Sequence, residues 1–121
     1  MKIKLKGYLK NKTDNELTKF SCKAIKTKNK ISYIIDKDKY TLNILSPNKL
    51  ILLRENNEIK SILYFENNKC ISSLYTIKEN NLTLEIDIKT QSIVMNDNNI
   101  NIIYVVKDSN NEYEYNIEMS D

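Results

Sequence analysis

Apolar and polar residues alternate along almost the whole chain. At intervals of roughly eight to twelve residues the alternation stops at a short cluster rich in Asn, Asp or Lys. The breaks are Lys28-Asn29-Lys30, Asp36-Lys37-Asp38, Pro47-Asn48, Asn56-Asn57, Asn67-Asn68, Asn80-Asn81, Asp97-Asn98-Asn99 and Asn110-Asn111. A period of two puts successive side chains on opposite faces of a strand. No segment carries a sustained 3.6-residue period, so the pattern predicts strands joined by hairpins and no helix.

The predicted strands are 2–10, 16–27, 31–35, 40–45, 49–55, 59–66, 70–78, a segment from 82 to 95, 100–106 and 111–119. In the first, Ile3, Leu5, Gly7 and Leu9 face one way, with Lys2, Lys4, Lys6, Tyr8 and Lys10 opposite. Gly7 is the only glycine, and in mid-strand it marks a bulge or a close backbone approach. In the second, Phe20, Cys22 and Ala24 share a face while Ile25 is out of phase, which a bulge near Ala24 would reconcile. Leu82, Leu84, Ile86 and Ile88 give the cleanest alternation, and the phase breaks at Thr90–Ser92 before Ile93 resumes it. Pro47 ends its ladder because it has no N–H to donate. Asn56-Asn57 suits a tight hairpin, since Asn tolerates positive φ.

That many strands with short connections exceed what one open sheet readily holds, and closure removes the edges. The expected architecture is all-β: a single domain over 1–121 folded as a closed antiparallel up-and-down barrel of about eight to ten strands.

A chain of 121 residues, 40% hydrophobic and 29% charged, can bury a core unaided. The net charge of +3 is mild, and the sequence pI of 8.7 falls below what gathers a nucleic-acid face. The start, Met1-Lys2-Ile3-Lys4-Leu5-Lys6, has no apolar leader core, and no apolar run is long enough for a membrane helix. Cys22 and Cys70 then read as reduced thiols, and a cytoplasmic setting is expected.

Histidine is absent, which removes the commonest general base and metal ligand. Two isolated cysteines make no zinc site, Cys70 lacks a base, and it reads as a small half-buried hydrophobe. Asp36 and Asp38 resemble part of a calcium loop but lack its glycine and terminal glutamate. Glu85 and Asp87, like Glu112, Glu114 and Glu118, face away from their strands' apolar stripes and read as the solvated outside. No catalytic residue, metal site or cofactor is indicated.

Arg54 is the only arginine. In phase with Leu50 and Leu52, it points to the interior or the rim. There it would clamp a carboxylate or phosphate, or close one end of the barrel; the structural role is preferred. Tyr75 and Tyr104 are in phase with apolar neighbours and, with Tyr33, would line a polar-tipped cavity or serve as ordinary core.

Several stretches taken in order resemble the YwiB-like family of small bacterial proteins. They are Lys49-Leu50-Ile51-Leu52-Leu53-Arg54, Leu63-Tyr64-Phe65-Glu66, Ser73-Leu74-Tyr75-Thr76, Leu82 to Thr90, and Ile102-Ile103-Tyr104-Val105-Val106. The resemblance spans about residues 31–119. It implies a calycin-like, lipocalin-like barrel and brings no substrate, reaction or catalytic residue. Ala24 and Asn56-Asn57 stand where the family tends to carry glycine.

Two functions follow. The first is non-enzymatic binding of a small apolar or amphipathic ligand in the barrel, with Arg54, Tyr75, Tyr104 and Tyr33 as candidate ligand-binding or barrel-closing residues. The alternative is a nucleic-acid or ribonucleoprotein accessory module using the face Lys2, Lys4, Lys6, Tyr8 and Lys10, where lysines track phosphates and a tyrosine stacks a base.

Overall fold

The computed structural model describes residues 1–121. Its strands are β1 (Lys2–Asn11), β2 (Glu16–Lys26), β3 (Lys30–Ile35), β4 (Asp38–Ser46), β5 (Lys49–Glu55), β6 (Ile59–Glu66), β7 (Cys70–Ile77), β8 (Leu82–Met95), β9 (Asn99–Val106) and β10 (Asn111–Ser120). Each pairs antiparallel with its neighbour in the chain, and β1 pairs with β10 to close a ten-stranded barrel. No helix is long and apolar enough to cross a membrane.

The core fills one end of the barrel. Leu5, Ile31, Leu42, Leu50, Phe65, Ile88, Ile100, Ile102 and Ile117 are almost completely buried there. Each such side chain contributes about 1.5–3 kcal/mol relative to exposure. The other end is ringed by the β1–β2, β3–β4, β5–β6, β7–β8 and β9–β10 turns. Eight strands leave a barrel interior that side chains just fill, so ten leave space there.

Gly7 marks a close approach and not a bulge, for the β1 register runs unbroken on both sides. A Cβ at Gly7 would lie 2.5 Å from Phe20 Cζ and 2.6 Å from the Asn116 carbonyl oxygen. The missing side chain lets the Phe20 ring lie against β1. The expected bulge near Ala24 is absent too. β2 stays in register with β1 throughout, and Ile25 is 55% exposed on the outside. Bulges occur instead between Thr90 and Ser92, where the phase broke, and between Ile44 and Ser46, just before Pro47.

The β5–β6 turn also differs from expectation. Asn15, Asp36, Asn68, Asn81 and Asn110 take positive φ, but Asn56 and Asn57 do not. Asn56 uses its side chain: Oδ1 accepts from the N–H groups of Glu58 at 2.7 Å and Ile59 at 2.8 Å. That side-chain turn needs no left-handed residue. Leu82 and Leu84, predicted on an inward face, are each 46% exposed. The β7–β8 hairpin outruns the barrel, because β9 joins β8 only from Ile88 onward.

One seam is short. β2 meets β3 only at Ala24, Ile25 and Lys26: Ile34 and Ile35 of β3 do not pair with β2, and beyond them β3 ends while β2 extends back to Glu16. From Glu16 to Lys23, β2 has a strand partner on its β1 side alone.

Candidate functional site

Cross-strand register builds one row of inward side chains that climbs from the core to the open end. Tyr33 pairs with Tyr40, Tyr40 with Arg54, Arg54 with Ser61, and Ser61 with Tyr75. These positions are scattered in sequence and adjacent only once five strands are aligned. From the opposite wall, Tyr104 pairs with Tyr113. The result is a cavity of about 510 Å³ in the barrel mouth, lined largely by apolar and aromatic side chains. All four candidates, Arg54, Tyr75, Tyr104 and Tyr33, line it.

The aromatic rings are ordered. Phe20 stacks on Tyr33 with centroids 5.9 Å apart, Tyr33 on Tyr40 at 4.9 Å, and Tyr104 on Tyr113 at 5.4 Å. Phe65 packs against Tyr104 at 4.9 Å in a tilted pair. The hydroxyls of Tyr33 and Tyr115 share a hydrogen bond in the floor. Burial pushes the phenols of Tyr33, Tyr104 and Tyr115 well above their ordinary pKa, so all three stay neutral and protonated.

Arg54 sits at the rim. Its Nε donates to Asp38 Oδ2 at 3.0 Å, and Nη2 lies 2.8 Å from the same oxygen. The guanidinium carbon is 5.9 Å from the Tyr40 ring centroid. Asn56 Nδ2 donates to the other oxygen, Asp38 Oδ1, at 2.6 Å. The Asn56 hydrogen bond, helped by Arg54 against partial burial, holds the Asp38 carboxyl below its usual range. Asp38, which in sequence resembled a calcium-loop fragment, is thus committed to Arg54 and Asn56. The arrangement ties the start of β4 to the end of β5 and braces the mouth.

Phe20, Tyr40, Tyr113 and Tyr115 also line the cavity and were not singled out from sequence. Their inward phase was legible along each strand. What was missing was the inter-strand stagger that sets their height in the barrel.

The lysine face of β1 lies on the outside. There β10 sets Glu118 opposite Lys6 and Glu114 opposite Lys10, and Lys4 lies opposite Lys23 of β2. Tyr8 donates its hydroxyl to Glu114 Oε2 at 3.0 Å, and Asn101 Nδ2 donates to the same oxygen at 2.8 Å. Those bonds, Asn101 first, hold the Glu114 carboxyl below its usual range. Lys2 belongs to a wider external groove of about 820 Å³ at the β2–β3 seam, with Lys23, Lys30 and Lys39 around Ile25 and Ile34. It is larger than the mouth cavity, but Tyr33 is its one aromatic lining residue, and four lysines surround it. Cys22 and Cys70 are free thiols; Cys70 is exposed and not half-buried, because it opens β7 beside the Asn67–Lys69 turn.

The fold is similar to the crystal structure of ywiB protein from Bacillus subtilis. The TM-score is 0.71 at 18% sequence identity, over 98% of this chain and 89% of that one. The resemblance read from the sequence therefore holds at the level of the fold. No family model and no curated protein matches the chain.

Proposed function

We propose that this protein is a non-enzymatic, cytoplasmic binding protein that holds a small amphipathic molecule in the mouth of a lipocalin-like barrel. One observation carries the reading. A cavity of about 510 Å³, within the size range of small-molecule sites, joins an apolar wall to a few polar tips at one end of an otherwise packed barrel. Its buried tyrosines Tyr33, Tyr104 and Tyr115 have raised pKa values, which suit hydrogen-bond donation and not proton abstraction.

The uncharged dye N-phenyl-1-naphthylamine tests this reading, since it brightens in apolar cavities. Leu63 lines the cavity, so Leu63→Trp fills it. The expected outcome is dye binding by the wild type and its loss in a Leu63→Trp variant that keeps the β circular dichroism. Equal binding by both proteins would place the dye elsewhere and sink the reading. Native mass spectrometry of protein purified from its own host then identifies the occupant.

A further inference from the structure

We infer that the occupant is a flat, uncharged aromatic molecule that presents one hydrogen-bond acceptor, a carbonyl or ring nitrogen, to the hydroxyl of Tyr104. This inference deepens the ligand-binding reading above and rests on it.

Charge is the first argument. The cation at the rim is already matched: two nitrogens of Arg54 lie on Asp38 Oδ2, at 2.8 and 3.0 Å. The remaining charged side chains of the lining, Lys19 and Asp36, are one of each sign. Lys19 and Asp36 make no ion pair but offset each other, so an anionic head group would meet no net positive charge in the mouth, and entering would cost it its hydration.

Ring order is the second. Tyr40, Tyr33 and Phe20 are nearly parallel in sequence, with interplanar angles of 9° and 10°, and Tyr104 and Tyr113 are inclined by 19°. Rings held by their neighbours keep few rotamers to lose on binding, and aromatic partners gain from stacked or edge contacts with them.

The third argument selects the polar group. Tyr104 is only 7% exposed and lines the cavity, and no side-chain hydrogen bond to the protein engages its hydroxyl. Its cross-strand neighbour Thr90 is fully buried, and the Thr90 Oγ1 is likewise unpartnered. By contrast, Tyr33 and Tyr115 satisfy each other. Buried phenols normally find a partner. Tyr104 remains protonated at neutral pH, so what it offers is a donor, and what completes it is an acceptor.

Quinoline and naphthalene have the same shape and differ in one ring nitrogen; laurate supplies an aliphatic anion for comparison. Calorimetric titration of the wild type is expected to show quinoline binding about tenfold tighter than naphthalene, the factor one good hydrogen bond confers, and both more tightly than laurate. Tyr104→Phe keeps the ring and removes the hydroxyl. It is expected to cancel the quinoline advantage, leave naphthalene affinity within about twofold, and melt no lower than wild type, because no protein bond is lost. Equal affinity of the wild type for quinoline and naphthalene overturns the acceptor assignment, whether or not the variant folds. Laurate binding without either ring compound overturns the aromatic class and leaves the ligand site standing. If none of the three binds and none displaces the dye, the site itself falls.

Discussion

Arg54 grips a single oxygen of Asp38 with two nitrogens, Nε at 3.0 Å and Nη2 at 2.8 Å, while Asn56 takes the other oxygen. Only a guanidinium can make this contact from a fixed position in the β5 ladder. Arg54→Lys keeps the charge and loses the fork. The two side chains are 41% and 19% exposed, so solvent screens the pair. The expected loss is about 0.5–1 kcal/mol in urea unfolding, smaller at high salt. Wild-type stability at every salt concentration would remove the bracing role.

Asp38 also sets an acid limit. Its carboxyl is held below its usual range, chiefly by Asn56 and then by Arg54. A depressed folded pKa contributes stability that is present above the unfolded value of about 4 and is lost as pH falls through the folded value. In Asn56→Ala the carboxyl should titrate at higher pH, so the acid-linked loss is smaller and is complete at a higher pH. Carbon-detected NMR titration of Asp38 in the two proteins checks the order.

Gly7→Ala sets a methyl 2.5 Å from the Phe20 ring and 2.6 Å from the Asn116 carbonyl oxygen. Overpacking of this kind costs roughly 1–3 kcal/mol. Phe20→Leu relieves only the ring clash, because the carbonyl belongs to the β10 backbone. A double-mutant cycle should therefore recover part of the loss. Full recovery would mean that the backbone contact is unimportant.

The hydroxyl pair of Tyr33 and Tyr115 predicts alkaline behaviour. Burial raises both phenol pKa values above the unfolded value of about 10. The stability linked to them is complete below that pH and declines as pH rises toward the folded values. Phenolate absorbance should show exposed tyrosines ionising first and these two only with unfolding. Tyr115→Phe strands the Tyr33 hydroxyl and should cost about 1–3 kcal/mol.

The short β2–β3 seam predicts uneven hydrogen exchange. Lys26 donates its N–H to Met1 at 2.9 Å, so even-numbered residues of β2 bond toward β1. Leu17, Lys19 and Ser21 then point their N–H groups to the side where β3 has ended. Their amides should exchange faster than those of Thr18, Phe20 and Cys22. Equal protection along the strand would show that something else covers this edge.

Alternation and turn residues determined most of this fold, because a period of two and a polar break are local properties that survive any packing. All ten strands, their order and the phase of Arg54, Tyr75 and Tyr104 followed from them. Even the β8 bulge was visible as a lost phase. The tertiary structure decided what depends on stagger between strands. Alternation tells which face a side chain takes but not its height in the barrel. Leu84 and Ile88 share a face, yet Leu84 stands beyond the rim and Ile88 is buried. Asp38 became the partner of Arg54 only when β4 aligned with β5. Gly7 is glycine because Phe20 and Asn116, on strands at opposite ends of the sequence, flank β1 once β10 has closed on it.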